Sequence, residues 1–248
     1  MIDLWTTKPV GTADRLRRGQ PWRTCPQTAA EINEYSWAYM WMVWAMNAHL
    51  GPAPQGTSLP VWTWPQKEDQ RSSLDKGQER EILHLRVDES RVLLSDFHAW
   101  ETVVFHQVPD QLLPPLSNDC SPEEEEHWHR TFERLQAPLR GDEEELKAKL
   151  ARAFQEMIQS PQKAVNPRSE EQERLQELTL GWAQQMKSAV VETRHLNDAL
   201  RAQKRVQATL WEIRPEDLVS VRRYSSSDAR YGALYVTEPG KHAGLNCT

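Results

Sequence analysis

The chain has 248 residues, of which 38% are hydrophobic and 27% charged, enough apolar material for one large domain or a domain with an appendage. Its net charge of −6 argues against broad affinity for nucleic acid or anionic membranes, because phosphate binding needs an excess of Lys and Arg, but a local basic patch stays open. The three cysteines fit no metal-ligand spacing and the first residues lack a signal-peptide pattern, so we expect a cytoplasmic protein without a membrane span.

Tryptophan is concentrated in the first part of the chain. Of the 11 tryptophans, those within the first hundred residues are Trp5, Trp22, Trp37, Trp41, Trp44, Trp62, Trp64 and Trp100. Each large ring needs a core, an aromatic wall or a ligand to cover it. These side chains therefore either build the core or line a ligand cleft.

Residues 1 to about 110 alternate between strand and helix patterns. The segment Ile2 to Thr6 predicts a short strand, and Ala13 to Arg18 predicts a short helix that ends at Gly19. Residues 28 to 51 show capping and periodicity typical of a long helix. Alternation in Val61 to Trp64 predicts a strand with both of its tryptophans on one face.

A second strand pattern follows in Glu81 to Val87, where alternation places Leu83, Leu85 and Val87 toward the core. The segment Arg91 to Leu94 predicts another strand, followed by a helix. Asp96 is either the cap of that helix or an acid in a cleft at the strand-to-helix turn.

The middle of the chain, about residues 121 to 205, is predicted to contain about three helices. Ser121 and Glu124 form a capping-box pattern, and further helices are predicted from Asp142 to Ile158 and from Ser169 to as far as Arg205. The acidic run that follows Ser121 suits the first turn of a helix, since the helix dipole favours negative charge there.

Strand patterns return in Val206 to Ile213 and in Leu218 to Tyr224, with a proline turn between them. We therefore predict an α+β fold whose small mixed or antiparallel sheet is built from the N-terminal and C-terminal zones. Residues 1–224 are predicted to form a single domain with the helical insertion at about 121–205. Residues 225–248 are predicted to be a polar tail.

Several short sequence segments, in the order in which they occur, resemble a bacterial family, domain of unknown function 3841. The segments are Leu4-Trp5-Thr6 with Pro9, the long helix ending in Gly51-Pro52, Pro60 to Trp64, Arg71-Ser72-Ser73, Val92 to Phe97 with Trp100, and Gln207 to Glu212 with Val219. The resemblance covers roughly residues 1 to 110 and 200 to 224, and it implies no particular reaction.

The opening strand with Thr6 or Thr7 and the late segment Gln207 to Val221 are also similar to parts of the ADP-ribosyltransferase superfamily. This resemblance implies that Thr6 contacts the ribose on the nicotinamide side of NAD, and that Glu212 is the catalytic glutamate. A carboxylate there would stabilise the oxocarbenium character that develops as the glycosidic bond breaks. Arg71 and Ser72 are similar to the Arg and Ser-Thr-Ser elements of some of these enzymes.

Two functional hypotheses follow. The first is NAD-dependent ADP-ribosyl transfer or NAD cleavage by Glu212, with NAD bound by Thr6, Trp62, Arg71 and Ser72 and with no metal. The second is a non-catalytic module that binds a nucleotide or a protein partner through a Trp-lined pocket. Each residue also has an ordinary alternative: Glu212 as an exposed strand residue or a partner of Arg214, and Arg71-Ser72 as part of a polar loop.

Overall fold

A computed structural model describes residues 1–24, 30–66, 79–117, 119–159, 169–202 and 204–225. The strands in this part of the chain are β1 (Ile2–Pro9), β2 (Val61–Thr63), β3 (Glu79–Val87), β4 (Leu93–Asp96), β5 (Val206–Leu210) and β6 (Leu218–Ser225). The helices are α1 (Thr12–Arg17), α2 (Ala30–Leu50), α3 (Phe97–Val104), α4 (Pro122–Gln136), α5 (Glu143–Gln159), α6 (Glu170–Ser188) and α7 (Leu196–Arg201). The predicted α+β class is confirmed.

The strands form two antiparallel sheets of three strands each, in the orders β1-β3-β6 and β2-β5-β4. Each sheet combines strands from both terminal zones, as predicted. The expectation of one sheet was wrong, because β5 lies at the centre of one sheet while β6 lies at the edge of the other. Alternation in a sequence predicts which face of a strand is buried, and it does not identify the partner strand.

The chain divides into two compact units. The first unit contains Met1–Glu34, Met42–Phe97 and Val191–Thr248, and the second contains Tyr35–Trp41 and His98–Val190. The expectation that residues 1–224 fold as one domain stays a prediction. The predicted polar tail lies, apart from its first residue, outside the described residues.

The core of the first unit is built from inward-facing rows of both sheets. Leu83, Leu85 and Val87 of β3 are fully buried, which confirms the predicted face of that strand. They belong to one buried cluster with Leu4 of β1 and Leu210 of β5. The two sheets also meet through the backbone, because Trp5 and Trp64 exchange two N–H···O bonds of 2.8 Å.

The core of the second unit is helical and aromatic. The ring of Trp41 lies 4.6 Å from that of Phe154 and 6.3 Å from that of Trp182, measured between centroids. The indole of Trp182 donates a hydrogen bond of 2.8 Å to the carbonyl of Gln107. The helix predicted from Asp142 to Ile158 is confirmed as α5, and its stripe of Leu146, Leu150 and Phe154 is buried.

The helix ends show how local sequence sets these elements. The predicted capping box is present at α4, where Ser121 accepts from the Glu124 amide and Glu124 accepts from the Ser121 amide. The third predicted helix ends at Ser188 instead of near Arg205. The amide of Val191 donates to the carbonyl of Leu94, which places the chain outside α6 at this point.

Among the described helices, none has the length and apolar composition required to cross a bilayer.

Candidate functional site

Glu212 lies two residues beyond the end of β5, and both of its carboxylate oxygens accept hydrogen bonds. Arg23 donates to Oε2 from Nε at 2.9 Å and from Nη2 at 2.8 Å, and Arg214 donates to Oε1 from Nε at 3.1 Å. Of the two ordinary alternatives, pairing with Arg214 is confirmed. The side chain is only 11% exposed, so the alternative of an exposed strand residue was wrong.

The charge state of Glu212 follows from these contacts. Burial acts to raise the pKa of Glu212, but the hydrogen bonds and positive charges of Arg23 and Arg214 outweigh it and hold the pKa below its usual value. The carboxylate is therefore ionised at neutral pH. The side chains of Arg23 and Arg214 are 35% and 43% exposed, so this cluster is partly open to solvent.

A second ion pair fixes the turn that carries Glu212 and Arg214. Arg91 donates to both oxygens of Asp217, at 2.6 and 3.0 Å, and its Nη2 also donates to the carbonyl of Glu212 at 3.3 Å. Asp217 in turn accepts from the backbone amide of Arg214 at 2.7 Å. Because a buried bidentate pair restrains both partners, the position of Glu212 is set by the fold.

The structure brings Thr6 and Trp62 together. The hydroxyl of Thr6 donates a 2.7 Å hydrogen bond to the Trp62 carbonyl, and Thr6 is only 2% exposed. This contact joins β1 to β2, while the Trp62 side chain is half-buried. Arg71 and Ser72 lie outside the described residues. A role for these four residues in binding NAD stays a prediction.

Trp41, Trp64 and Trp182 follow the core interpretation. Trp41 and Trp182 are fully buried, and Trp64 is nearly so. Trp64 also packs on the Phe97 ring, with 5.3 Å between centroids, and the Arg205 guanidinium lies over both rings. These contacts assign the rings to packing.

Lys8 is a buried charged residue that the sequence analysis did not single out. It lies on the inward row of β1 with Ile2, Leu4 and Thr6, and it is 9% exposed. Its Nζ lies 4.3 Å from the centroid of the Trp22 ring. Burial lowers the pKa of Lys8 to about 7. The sequence signal that could have identified Lys8 is its position in the alternation of β1, where it falls on the same face as the buried residues.

Glu81 is the cross-strand partner of Lys8 on β3, but its carboxylate is bound elsewhere. Its Oε1 accepts from the Gly11 amide at 3.0 Å, and its Oε2 accepts from the Ala13 amide at 2.8 Å. Arg223 of β6 approaches Oε1 to 3.9 Å. Across the residues that the structure describes, no carboxylate lies within 4.0 Å of the Lys8 ammonium.

Trp22 connects Lys8 to the Glu212 cluster. The backbones of Trp22 and Ile213 exchange hydrogen bonds of 2.9 and 3.0 Å, and the residue after Trp22 is Arg23. We call Lys8, Trp22, Arg23, Glu212 and Arg214 the basic corner. It combines two arginines and one lysine with one carboxylate. Whether this corner acts as the local basic patch that the net charge left open stays a prediction.

Asp96 was the other candidate for a functional site. Asp96 is the last residue of β4 and lies 3.9 Å from the Lys204 ammonium, immediately before α3 begins. Whether it acts in a cleft stays a prediction. In the described ranges, no three His, Cys, Asp or Glu side chains are grouped as metal ligands.

Comparison with known proteins identifies a family. The profile of the family described as domain of unknown function 3841 matches residues 25–219. The chain belongs to this family. Neither the curated proteins nor the solved structures include a match. The comparisons do not support the resemblance to ADP-ribosyltransferases.

The family match covers only part of the basic corner. The segment that matches domain of unknown function 3841 includes Glu212 and Arg214, whereas Lys8, Trp22 and Arg23 precede it. The corner is thus completed by residues that lie outside the matched range.

Proposed function

We propose that the protein is a binding module for an anionic nucleotide, and that the ligand binds at the basic corner. The observation that carries this proposal is the convergence of Arg23 and Arg214 on the single carboxylate of Glu212. Two guanidinium groups and one carboxylate leave a net positive charge in a partly exposed cluster. An excess of positive charge in a protein of net charge −6 favours an anionic ligand.

The arginines retain hydrogen-bonding capacity. Nη1 of Arg23 and both terminal nitrogens of Arg214 donate to no group among the described residues. A planar guanidinium with free N–H groups is well suited to phosphate oxygens. NAD and ADP-ribose, which carry two phosphates beside aromatic bases, are the ligands that we propose, in a protein that we expect to be cytoplasmic.

The geometry favours binding over catalysis. A carboxylate that polarises a ribose hydroxyl needs an unoccupied lone pair that the ligand can reach, whereas Glu212 accepts three hydrogen bonds from arginines and its side chain is only 11% exposed. We therefore assign Glu212 the role of holding Arg23 and Arg214 in place.

One observation favours a second candidate, which is NAD cleavage or ADP-ribosyl transfer. The lowered pKa of Glu212 keeps its carboxylate ionised, as stabilisation of an oxocarbenium ion requires. In this candidate Glu212 is catalytic, and Thr6, Trp62, Arg71 and Ser72 contact NAD.

Calorimetric titration with ADP-ribose, NAD and uncharged adenosine tests the proposal. We expect ADP-ribose and NAD to bind more tightly than adenosine, and their affinity to fall as salt is raised. Arg214→Gln should weaken ADP-ribose binding by at least about tenfold, the effect of losing one charge-assisted contact. Arg86→Gln removes a guanidinium that is 56% exposed and paired with Asp3, and it serves as the matched control. Equal weakening in both variants, or no binding of any nucleotide at millimolar concentration, would contradict the proposal.

Incubation with labelled NAD separates the two candidates. The binding proposal predicts no release of nicotinamide and no transfer of label. The enzymatic candidate predicts turnover that falls on the order of 100-fold in Glu212→Gln, because this variant keeps the size of the side chain and removes its charge.

A further inference from the structure

Lys8 is a buried lysine whose ammonium group has no anionic partner among the described residues. Its side chain is directed into the first unit, where the residue is 9% exposed. Its Nζ contacts the face of the Trp22 ring and lies 4.3 Å from the ring centroid. A cation–π contact compensates only part of the lost hydration of a buried ammonium. The protonated form of Lys8 therefore lacks a compensating charge within the described part of the fold.

The charged groups around Lys8 do not supply this compensation. On β3, Glu81 is held by the amides of Gly11 and Ala13, and on β6 Arg223 contributes a further positive charge beside Glu81. Beyond Trp22, Glu212 is paired with two arginines. The carboxylates near this end of the sheet are thus already engaged, and the surplus charge is positive.

We propose that Lys8 binds a phosphate group of the ligand, and that it takes up a proton as the anion binds. This inference rests on the proposed function, and it deepens it by naming phosphate as the recognised group and pH as the regulator. Trp22 supports the assignment, because its ring contacts the Lys8 ammonium and its backbone pairs with Ile213, the residue that follows Glu212.

The coupling to pH follows from the buried position of Lys8. Without an anion, burial holds the pKa of Lys8 at about 7, so the amine is largely neutral above that pH. A bound phosphate stabilises the ammonium and raises its pKa, so binding above pH 7 must draw one proton from the solvent. The affinity for the anion should then fall by up to about tenfold for each pH unit above 7.

Two probes that keep a constant charge between pH 6 and pH 9 test this inference, ADP-ribose and inorganic sulfate. Binding of each is measured by calorimetry across this range in two buffers of different ionisation enthalpy. In wild-type protein we expect tighter binding at pH 6 than at pH 9, with uptake of close to one proton at pH 8.5. Lys8→Met should bind both probes more weakly at pH 6 and show no slope with pH.

Two further variants make the result specific. Lys8→Arg carries a fixed charge, so it should retain anion binding and lose the pH slope. Lys204→Met removes an exposed lysine from the same unit, and it should bind as the wild type does. Circular dichroism establishes that each variant is folded before the titration.

The outcomes separate this inference from the proposed function. One outcome is that sulfate binds with a pH dependence that requires Lys8, whereas ADP-ribose does not bind. This outcome would support the anion site and contradict nucleotide recognition. ADP-ribose binding with the same affinity and pH slope in Lys8→Met would overturn the role of Lys8 and leave the proposed function standing. Failure of both probes to bind wild-type protein would overturn both.

Discussion

The two units of the chain place their charged side chains differently. In the first unit Lys8, Glu81, Glu212 and Asp217 are all buried. In the second unit the buried residues are apolar apart from Thr179 among those that the structure describes, and each of its ion pairs has at least one exposed partner.

This difference agrees with our proposal of a binding site in the first unit. Buried charges are unfavourable unless they are paired, whereas a helical core of aromatic and aliphatic side chains needs none. A buried charge without a pairing charge departs from the rules for stability, and such departures concentrate at functional sites. The basic corner has this character, and the helical core of the second unit does not.

Replacement of Lys8 is expected to change the free energy of unfolding most. The pKa of Lys8 is lowered from 10.5 to about 7 in the folded protein, so the unfolded chain binds more protons between these values and wild-type stability rises with pH. Lys8→Met removes this dependence. Its free energy of unfolding should exceed that of the wild type by roughly 5 kcal/mol at pH 6 and by roughly 2 kcal/mol at pH 9.

Urea unfolding of both proteins at the two pH values measures this difference. A variant that is less stable than the wild type at pH 6 would show that the Lys8 ammonium is already compensated.

A smaller effect is expected from a matched pair of ion-pair variants, one in each unit. Asp217→Asn leaves Arg91 without its carboxylate in a largely buried position, which should lower the free energy of unfolding by about 3 to 5 kcal/mol. Glu177→Gln breaks the surface pair with Arg134, whose side chains are 34% and 42% exposed. That change should be worth about 1 kcal/mol or less.

Chemical denaturation of the two variants at pH 7 gives both values. Equal losses in the two units would remove the distinction between buried and surface charge.

A further substitution tests packing in the second unit. A Cβ added at Gly181 would lie 2.7 Å from Cδ1 of Leu112 and 3.2 Å from Cγ of Pro109. Gly181→Ala should therefore destabilise the protein by about 1 to 3 kcal/mol through overpacking, despite the better helix propensity of alanine. Thermal unfolding checks this, and Leu112→Ala in the same chain should restore part of the loss. An unchanged melting temperature in Gly181→Ala would show that Leu112 moves aside freely.

Local patterns predicted much of the fold. The inward row of Leu83, Leu85 and Val87, the capping box at Ser121 and the stripe of α5 all depend on periodicities that are read within one element. Strand partners depend on contacts between segments that are distant in sequence. For this reason the sequence did not predict that β5 and β6 belong to different sheets.

The candidate site was less accessible from the sequence. The pairing of Glu212 with Arg214 was foreseen as an alternative because the two residues are close in sequence, whereas its pairing with Arg23 joins residues 189 positions apart. Lys8 was overlooked because a lysine near a strand end is usually exposed. Its position on the row of Ile2, Leu4 and Thr6 shows that the same alternation, followed to the end of β1, would have predicted burial.

The central position of β3 in its sheet has a consequence for biosynthesis. β1 can pair with β3 as soon as Val87 has left the ribosome, but the other edge of β3 waits for β6, which ends 138 residues later at Ser225. Translation at about 5 to 20 residues per second leaves that edge open for roughly 7 to 30 seconds. An open strand edge is a template for unwanted pairing between nascent chains. Nascent chains arrested before residue 218 should therefore depend on chaperones far more than the released protein does.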